Sequence, residues 1–204
     1  MEYVPNILFA LALFVGIGFF VRNVKKLTRN IKLGKDVDVS DNKAQRWKNM
    51  ARIALGQTKM VVRPIAGIMH VIVYVGFIII NIEVLEIILD GLFGTHRLFS
   101  PLGSVYNFLI ASFEILALLV IVAVVVFWVR RNIIRIQRFI KPEMKGWPKT
   151  DGNLILYIEL VLMFLFLTMN AADFQLQQIG AEHYNKAGAF PVSQFLLPRM
   201  EGLS

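Results

Sequence analysis

A histidine stands inside a long apolar run of this chain, where an ionisable side chain is costly unless it has a role. The run covers about residues 62–89, and His70 lies toward its beginning. Ionisable groups within membrane spans are functional candidates by default. An imidazole that faces the interior of a helical bundle can bind haem iron through a ring nitrogen. The alternative is a structural histidine that hydrogen-bonds between helices.

The helical period places further polar and aromatic residues on one stripe with His70, because a helix turns about 100° per residue. The members of this histidine stripe are Arg63, His70, Tyr74, Phe77 and Asn81. In a haem site, Arg63 would meet a propionate, and Gly67 would let a flat macrocycle approach the helix closely. Tyr74, Phe77 and Asn81 would line the haem pocket.

Carboxylates gather toward the other end of the apolar runs. Glu83, Glu86 and Asp90 share a stripe roughly opposite the histidine stripe, and Glu114 and Asp173 fall at a similar depth. Carboxylates in this position could relay protons between a buried site and the outside, which makes Glu83, Glu86 and Glu114 a possible proton path. The alternative is that they point into the lipid headgroups, the interpretation favoured for Asp90 and Asp173.

The remaining ionisable residues near the apolar runs are predicted to have no chemical role. His96 and His183 fall in outer loops and are expected to be solvated. Glu159 lies near the inner boundary of the fourth run, where Lys149 or Arg131 could pair with it in a structural role.

Four apolar segments must position these residues. The chain has 204 residues, 56% of them hydrophobic, with a mean hydropathy of +0.61. Crossing the hydrocarbon takes roughly 20 apolar residues as a helix, and the segments at about 4–21, 62–89, 106–129 and 154–169 qualify. The predicted fold is an all-α, polytopic membrane helical bundle forming a single domain over residues 1–204. The first segment could be a cleaved signal peptide, but acidic Glu2 before it and basic residues after it favour a retained anchor.

The net charge of +8 is concentrated in two alternate loops. Nineteen of the 22 Lys and Arg residues lie at 22–63 and 130–149. The positive-inside rule therefore puts the loops 22–61 and 130–153 in the cytoplasm and the N-terminus outside, with the chain in the cytoplasmic membrane. The charge indicates topology and contact with the anionic lipid bilayer rather than with nucleic acid.

A short amphipathic helix is predicted in the first cytoplasmic loop. Trp47, Met50 and Ile53 share one side of it, and Ser40 or Asp41 could cap its start. The pattern indicates an interfacial helix, and an ordinary solvated connector is the alternative.

The chain contains no cysteine. This excludes cysteine-ligated iron–sulfur clusters, thiolate zinc sites and covalent haem attachment within the chain. Its two other histidines lie in outer loops, some 25 Å from His70 at 1.5 Å per residue. A haem with two histidine ligands would therefore need its second axial ligand from outside this chain.

Three stretches of the sequence resemble a known family. They are RPIAGIMHVIVYVGFIIINIEVLEIILDGLFGTHR, YNFLIASFEILALLVIVAVVVFWVRRN and LILYIELVLMFLFLTMNAAD. They look like the membrane portion of heterodisulfide-reductase-related iron–sulfur oxidoreductases, which is itself similar to the cytochrome b (gamma) subunit of respiratory nitrate reductase. The resemblance covers about residues 1–200, and its sharpest element is the Gly67-x-x-His70 and Gly76-Phe77 pattern.

The resemblance implies a membrane electron-transfer module with His70 as a ligand of haem b. Only one haem is implied, because this chain has Ile80 and Asn81 where two-haem members carry a second histidine. Electrons would pass between a quinone, which is the substrate, and iron–sulfur clusters. The clusters would lie on a cytoplasmic domain or a partner protein. The family pattern continues with a fifth span and a cluster domain beyond the point that matches Ser204. We therefore expect these residues to be the amino-terminal part of a longer protein or one half of a split one.

Three alternatives remain open from the sequence. The chain could be a cofactor-free membrane anchor that docks a soluble redox enzyme through its basic loops. It could also belong to a proton-coupled transporter, for which broken helices are typical, whereas the spans here read as continuous. A two-fold dimer with both copies of His70 on one haem is also geometrically possible.

Overall fold

The computed structural model describes residues 3–38 and 40–199, with side chains through residue 196. These residues form helices and connecting turns, and no β-strand occurs among them. The five α-helices are α1 (Val4–Lys32), α2 (Lys43–Met50), α3 (Pro64–Phe93), α4 (Ser104–Asn132) and α5 (Trp147–Gln178). Short helical turns follow at Ala51–Leu55, Ser100–Leu102, Gln137–Phe139, Pro142–Met144 and Ser193–Arg199.

Four of these helices, α1, α3, α4 and α5, are long and apolar enough to cross a membrane. They have 29 to 32 residues, or about 43–48 Å at 1.5 Å per residue, against a hydrocarbon core of about 30 Å. The predicted all-helical fold and the four predicted spans are confirmed in this sense. Each helix extends beyond its apolar run at one end or both, where polar residues continue the helix.

The starts and ends of the long helices follow ordinary helix chemistry. Proline stands in the first turn of α1, α3 and α5, where its missing N–H costs no intrahelical hydrogen bond. The last turns of α1 and α4 carry Arg29 and Lys32, and Arg130 and Arg131, respectively. Positive charge there is favoured by the helix dipole.

Helix α2 forms as predicted, but its predicted cap is wrong. Asn42 occupies the capping position in a left-handed conformation (φ 46°), and no side chain caps the helix. Asn adopts this conformation more readily than most residues, which explains why the helix begins at Lys43 rather than directly after Ser40 or Asp41. No residue of α2 is buried, so its interfacial position stays a prediction.

Two compact units make up the chain, and each is described by itself. The first contains residues 1–59 and 87–95, and in it the Asn6 side-chain amide donates to the Gly91 carbonyl at 2.8 Å. The second contains residues 60–86 and 96–204. Helix α4 is its most buried element, and α4 packs along α5.

The core of the second unit is built around one face of α4. Ile110, Phe113, Ala117 and Val120 lie at helical spacing on this face and are each 1% exposed or less. Gly76 brings α3 close to the same face, since a Cβ at this position would lie 2.6 Å from Val120 Cγ2. Small residues allow helices to approach closely in membranes, where apolar burial does not drive their association.

Candidate functional site

A group of buried polar side chains joins α3, α4, α5 and the loop between α3 and α4, all within the second unit. We call it the polar cluster, and each member is 8% exposed or less. Its members are Glu83, Glu86, Arg97, Tyr106, Asn170 and Asp173. Buried charged groups are costly unless they are paired, so the contacts among these side chains determine whether the arrangement is stable.

Arg97 is the centre of the polar cluster. Its Nη1 donates to Glu83 Oε1 at 2.9 Å, and its Nε donates to Asp173 Oδ2 at 2.7 Å. Its Nη2 lies 2.6 Å from the same Asp173 oxygen and donates to Asn170 Oδ1 at 2.9 Å. The planar fork of a guanidinium suits such multiple pairing. A single loop residue thus connects α3 with α5.

The backbone and the charge of Arg97 both reflect this position. Its φ of 56° lies in the left-handed region, which is uncommon for residues other than glycine. Burial by itself would lower the pKa of the Arg97 guanidinium, but the carboxylates of Glu83 and Asp173 outweigh burial and hold this pKa above its ordinary value. Arg97 is therefore a permanent positive charge inside the polar cluster.

Glu86 connects the same loop to α4. The Tyr106 hydroxyl donates to Glu86 Oε2 at 2.8 Å, and the Phe99 backbone N–H donates to Glu86 Oε1 at 2.8 Å. Hydrogen bonds to a charged acceptor are stronger than neutral ones. The two carboxylates of α3 thus hold the loop at two points.

His96 and Asp173 correct the sequence analysis. His96 was expected to be solvated, yet its Nε2 lies 2.8 Å from Asp173 Oδ1 and its side chain is 20% exposed. Its ring also lies 4.4 Å from that of Tyr184, measured between centroids. Asp173 was expected among the headgroups, but Arg97, His96 and Gln177 all bind it. Both errors have one explanation. The buried Arg97 needs a carboxylate partner, because an unpaired buried charge is unstable; Asp173 supplies it, and His96 binds the same carboxyl group.

The polar cluster contains more acid than base. Three carboxyl groups, those of Glu83, Glu86 and Asp173, face the single guanidinium of Arg97 and the imidazole of His96. Glu83 Oε2 is buried and has no hydrogen-bond partner among the described residues. Because unpaired buried charge is expensive, the contacts of these carboxyl groups with Arg97 are central to the stability of the polar cluster.

Glu114, the fourth carboxylate of interest, lies apart from Arg97 and binds the C-terminal part of the chain. It is fully buried on α4, and its Oε2 accepts the backbone N–H groups of Val192 and Ser193 at 2.8 and 3.1 Å. The Ser193 hydroxyl donates to the Leu167 carbonyl of α5 at 2.9 Å. We call residues 187–196 the re-entrant segment, because they fold back between α4 and α5 after α5 has ended.

Further contacts fix the re-entrant segment. Gln177 exchanges two hydrogen bonds with the backbone of Ala187, each 3.0 Å long. The Phe190 ring is 6% exposed and lies 5.4 Å from the Arg97 guanidinium carbon, measured to the ring centroid. No periodic signal in the sequence marks the segment, because single side chains and backbone groups make its contacts rather than one face of a long helix.

The histidine stripe does not coincide with the packing face of α3. His70 and Tyr74 are half-buried, whereas Phe77 is 63% exposed and Asn81 is also exposed. The buried face instead includes Gly76, Ile80, Glu83 and Glu86. The described chain thus provides one side of a possible haem site, and the exposed residues leave room for a group or helix against the other side.

Gly67 and Arg63 differ in how well they fit a haem. A Cβ at Gly67 would lie 2.8 Å from the Cα of Val61, so the connecting backbone occupies the space expected for a macrocycle on that side. Arg63 is exposed and lines a cavity together with several other arginines. A carboxylate such as a propionate suits that environment. The surroundings of Arg63 therefore suit an anionic group, whereas the space beside Gly67 is filled by backbone. The role of His70 stays a prediction.

The other residues considered in the sequence analysis lie outside the polar cluster. Asp90 is half-buried and accepts a hydrogen bond from the Thr95 hydroxyl. His183 is exposed, as expected. Glu159 is half-buried, and its predicted ion pair with Lys149 or Arg131 does not occur among the described residues.

No family model, no curated protein and no solved structure matches the chain. The class is defined by the molecule itself: a multi-pass, all-helical membrane protein with a buried cluster of charged side chains.

Proposed function

We propose that this protein is a membrane electron-transfer module that passes electrons between a quinone and a cytoplasmic iron–sulfur domain or subunit through one haem b. The observation that carries the proposal is the arrangement of α3, which bears His70 near one end and the buried carboxylates Glu83 and Glu86 toward the other. Thirteen residues separate His70 from Glu83, or about 20 Å along the helix. Electron and proton groups at different depths are what quinol oxidation across a membrane requires.

In this proposal the histidine stripe holds the haem. His70 would supply one axial nitrogen, Arg63 would meet a propionate, and Tyr74, Phe77 and Asn81 would line the pocket. The opposite ligand would come from outside this chain. Haem b, when bound, supplies reversible one-electron transfer. The exposure of Asn81 supports a site completed by another helix, because a polar side chain that faces lipid is costly.

Glu83 of the polar cluster and Glu114, which binds the re-entrant segment, would carry the protons released from quinol. Glu83 Oε2 and Glu114 Oε1 are both buried and lack a hydrogen-bond partner among the described residues. Each carboxyl group therefore has one oxygen on which it can carry a proton. Glu86 is bound at both oxygens and would mainly hold the loop in place.

The orientation in the membrane belongs to the same proposal. The basic loops 22–61 and 130–153 would lie in the cytoplasm, the N-terminus would lie outside, and α2 would rest at the cytoplasmic interface. The cytoplasmic loops would then face the iron–sulfur partner, and the polar cluster would lie toward the outside.

The experiment is a reduced-minus-oxidised visible spectrum of the protein in native membranes. We expect sharp b-type bands from the wild type and their loss in His70→Ala. His183→Asn is the matched control, since His183 is exposed and Asn tolerates its φ of 71°. Bands that persist in His70→Ala would reject the ligand assignment, and a wild type without bands would reject the electron-transfer proposal.

A second candidate function is a cofactor-free membrane anchor for a soluble redox enzyme. The contacts of Arg97 favour an anchor, because they hold the α3–α4 loop against α3 and α5 without involving a cofactor. An anchor needs no haem, so membranes that contain the folded wild type but show no b-type bands would favour this candidate.

A further inference from the structure

We propose that the basic end of α4 is a binding site for an anionic phospholipid with two phosphate groups. The proposal goes beyond electron transfer and does not depend on it. It rests on two adjacent cavities within the second unit, on the fixed position of the arginine between them, and on the aromatic residues beside them.

The first cavity, which we call the arginine cavity, has a volume of about 230 Å³. Four arginines and two phenylalanines form much of its wall: Arg63, Phe127, Arg130, Arg131, Arg138 and Phe139. This volume lies below the range typical of drug-sized ligands. It suits a small anionic head group whose attached chains leave the cavity.

The second cavity, the lysine cavity, has about the same volume, 230 Å³. Its basic lining residues are Arg131, Arg135, Lys145 and Lys149, with Phe139 among the apolar ones. Arg131 and Phe139 line both cavities, so the two cavities are neighbours that share a wall.

Arg131 is held in place at this shared wall. Its Nη2 donates to the carbonyls of Pro148 and Lys149 at 2.9 and 3.2 Å, and its guanidinium carbon lies 5.1 Å from the Phe139 ring centroid. A Cβ at Gly152 would lie 2.7 Å from that carbon, so the glycine makes room for it. The Arg131 Nε is buried and lacks a hydrogen-bond partner among the described residues. The guanidinium is thus held in position before any ligand binds.

The charge of the two cavities favours an anionic ligand. Seven different basic residues line them, and no acidic residue is among the lining residues. Such a concentration of like charge repels itself and attracts anionic ligands. Basic pockets between membrane helices on one side of the bilayer are typical binding sites for anionic lipid headgroups.

The surroundings place the cavities at headgroup level. The Trp128 indole N–H donates to the Tyr157 hydroxyl at 3.0 Å, and Trp and Tyr are enriched where membranes meet water. Leu154 and Ile155, at the start of α5, are 47% and 59% exposed. Phosphates in the cavities would therefore have apolar helix surface beside them for acyl chains, which a free phosphate would not use. Two cavities that share a wall favour one lipid with two phosphates over a lipid with one.

The test measures lipid binding to the whole protein, purified in detergent and stripped of lipid. The ligands are a diphosphatidylglycerol, phosphatidylglycerol, phosphatidylcholine and inorganic pyrophosphate. The variants are Arg130→Gln/Arg138→Gln for the arginine cavity and Lys145→Gln/Lys149→Gln for the lysine cavity. Arg63 is left unchanged because the proposed haem site also uses it, so failure here leaves the haem test standing.

We expect diphosphatidylglycerol to bind most tightly and either double variant to weaken it roughly 25-fold, about fivefold per charge. The matched control is Lys32→Gln/Lys35→Gln, which removes two exposed charges of the first unit and should change binding less than twofold. Arg130→Lys/Arg138→Lys keeps the charges and should retain most of the binding, provided that gel filtration shows all variants folded.

Three results would overturn the proposal. Equal affinity for phosphatidylglycerol would reject the two-phosphate ligand. Pyrophosphate binding as tightly as the lipid would identify a free-phosphate site instead. An equal loss in the Lys32→Gln/Lys35→Gln control would show that net surface charge, rather than the cavities, attracts the lipid.

Discussion

Replacing Arg97 by methionine should destabilise the protein severely, because Met removes the guanidinium while keeping an unbranched side chain. Arg97 is 6% exposed and binds both Glu83 and Asp173. Removing one partner of a buried ion pair typically costs about 3–5 kcal/mol. The alternative for a carboxylate that has lost Arg97 is to take up a proton. Neutralising one ordinary carboxyl group in this way at pH 7 costs about 3–4 kcal/mol, which agrees with the first figure.

The assay is thermal unfolding of the detergent-purified protein, followed by circular dichroism. At about 2–4 °C per kcal/mol for a chain of this size, Arg97→Met should lower the melting temperature by about 6–20 °C. Arg29→Met is the matched control, because Arg29 is exposed on α1 and should shift it by less than about 2 °C, corresponding to about 0.5 kcal/mol. The double variant Glu83→Gln/Arg97→Met should regain part of the loss, since it removes one carboxylate that Arg97 neutralised.

The pH dependence provides a second check on Arg97. At pH 5 the protonation cost of an ordinary carboxyl group falls to about 1 kcal/mol, so the difference between wild type and Arg97→Met should shrink on acidification. On the alkaline side the pKa of Arg97 lies above its ordinary value. A raised pKa in a basic group preserves its stabilising contribution at every pH below the ordinary value. The difference should therefore persist from pH 7 to 10. Arg97→Met and Arg29→Met melting at the same temperature would refute the central role of Arg97.

Three other substitutions test the packing of the second unit. Gly76→Leu should destabilise it by about 1–3 kcal/mol through overpacking against Val120, measured by the same melting experiment, and the added change Val120→Ala should recover part of this; no recovery would contradict the contact. Glu114→Leu leaves the buried N–H of Ser193 and the partly buried N–H of Val192 without an acceptor, at up to about 1–3 kcal/mol each. Limited proteolysis should therefore cleave the re-entrant segment faster than in Glu114→Gln, and equal rates would contradict the role of Glu114. Tyr106→Phe removes the hydroxyl that binds Glu86 and should cost about 1.5–3 kcal/mol as a hydrogen bond to a charged group; an unchanged melting temperature would exclude that bond.

The sequence was sufficient to predict the elements that depend on local composition. The apolar runs have about 16 to 28 residues, close to or above the roughly 20 needed to cross the hydrocarbon, and the four long helices form around these runs. Pro64 falls where a first helical turn tolerates proline. The hydrogen bonds of a membrane helix are satisfied within the segment itself, so the rest of the chain is not needed to predict it.

The polar cluster could be predicted only in part. The helical period indicated that Glu83 and Glu86 share one side of α3, and both are buried together. It could not indicate that His96 and Arg97 turn inward, because a loop has no period from which orientation follows. Asp173 was misjudged for a different reason: it lies on α5, and its partner Arg97 is 76 residues away in the sequence.

The sequence by itself therefore determined the membrane class, the number of long helices and the face of α3 that carries the carboxylates. Hydropathy and helical periodicity are sums over neighbouring residues and need no knowledge of distant ones. Only the tertiary structure decided which charges pair with Arg97 and that the re-entrant segment returns to Glu114. Those contacts depend on the rotation and spacing of separate helices, and the free energy of a buried charge depends on the partner that packing brings to it.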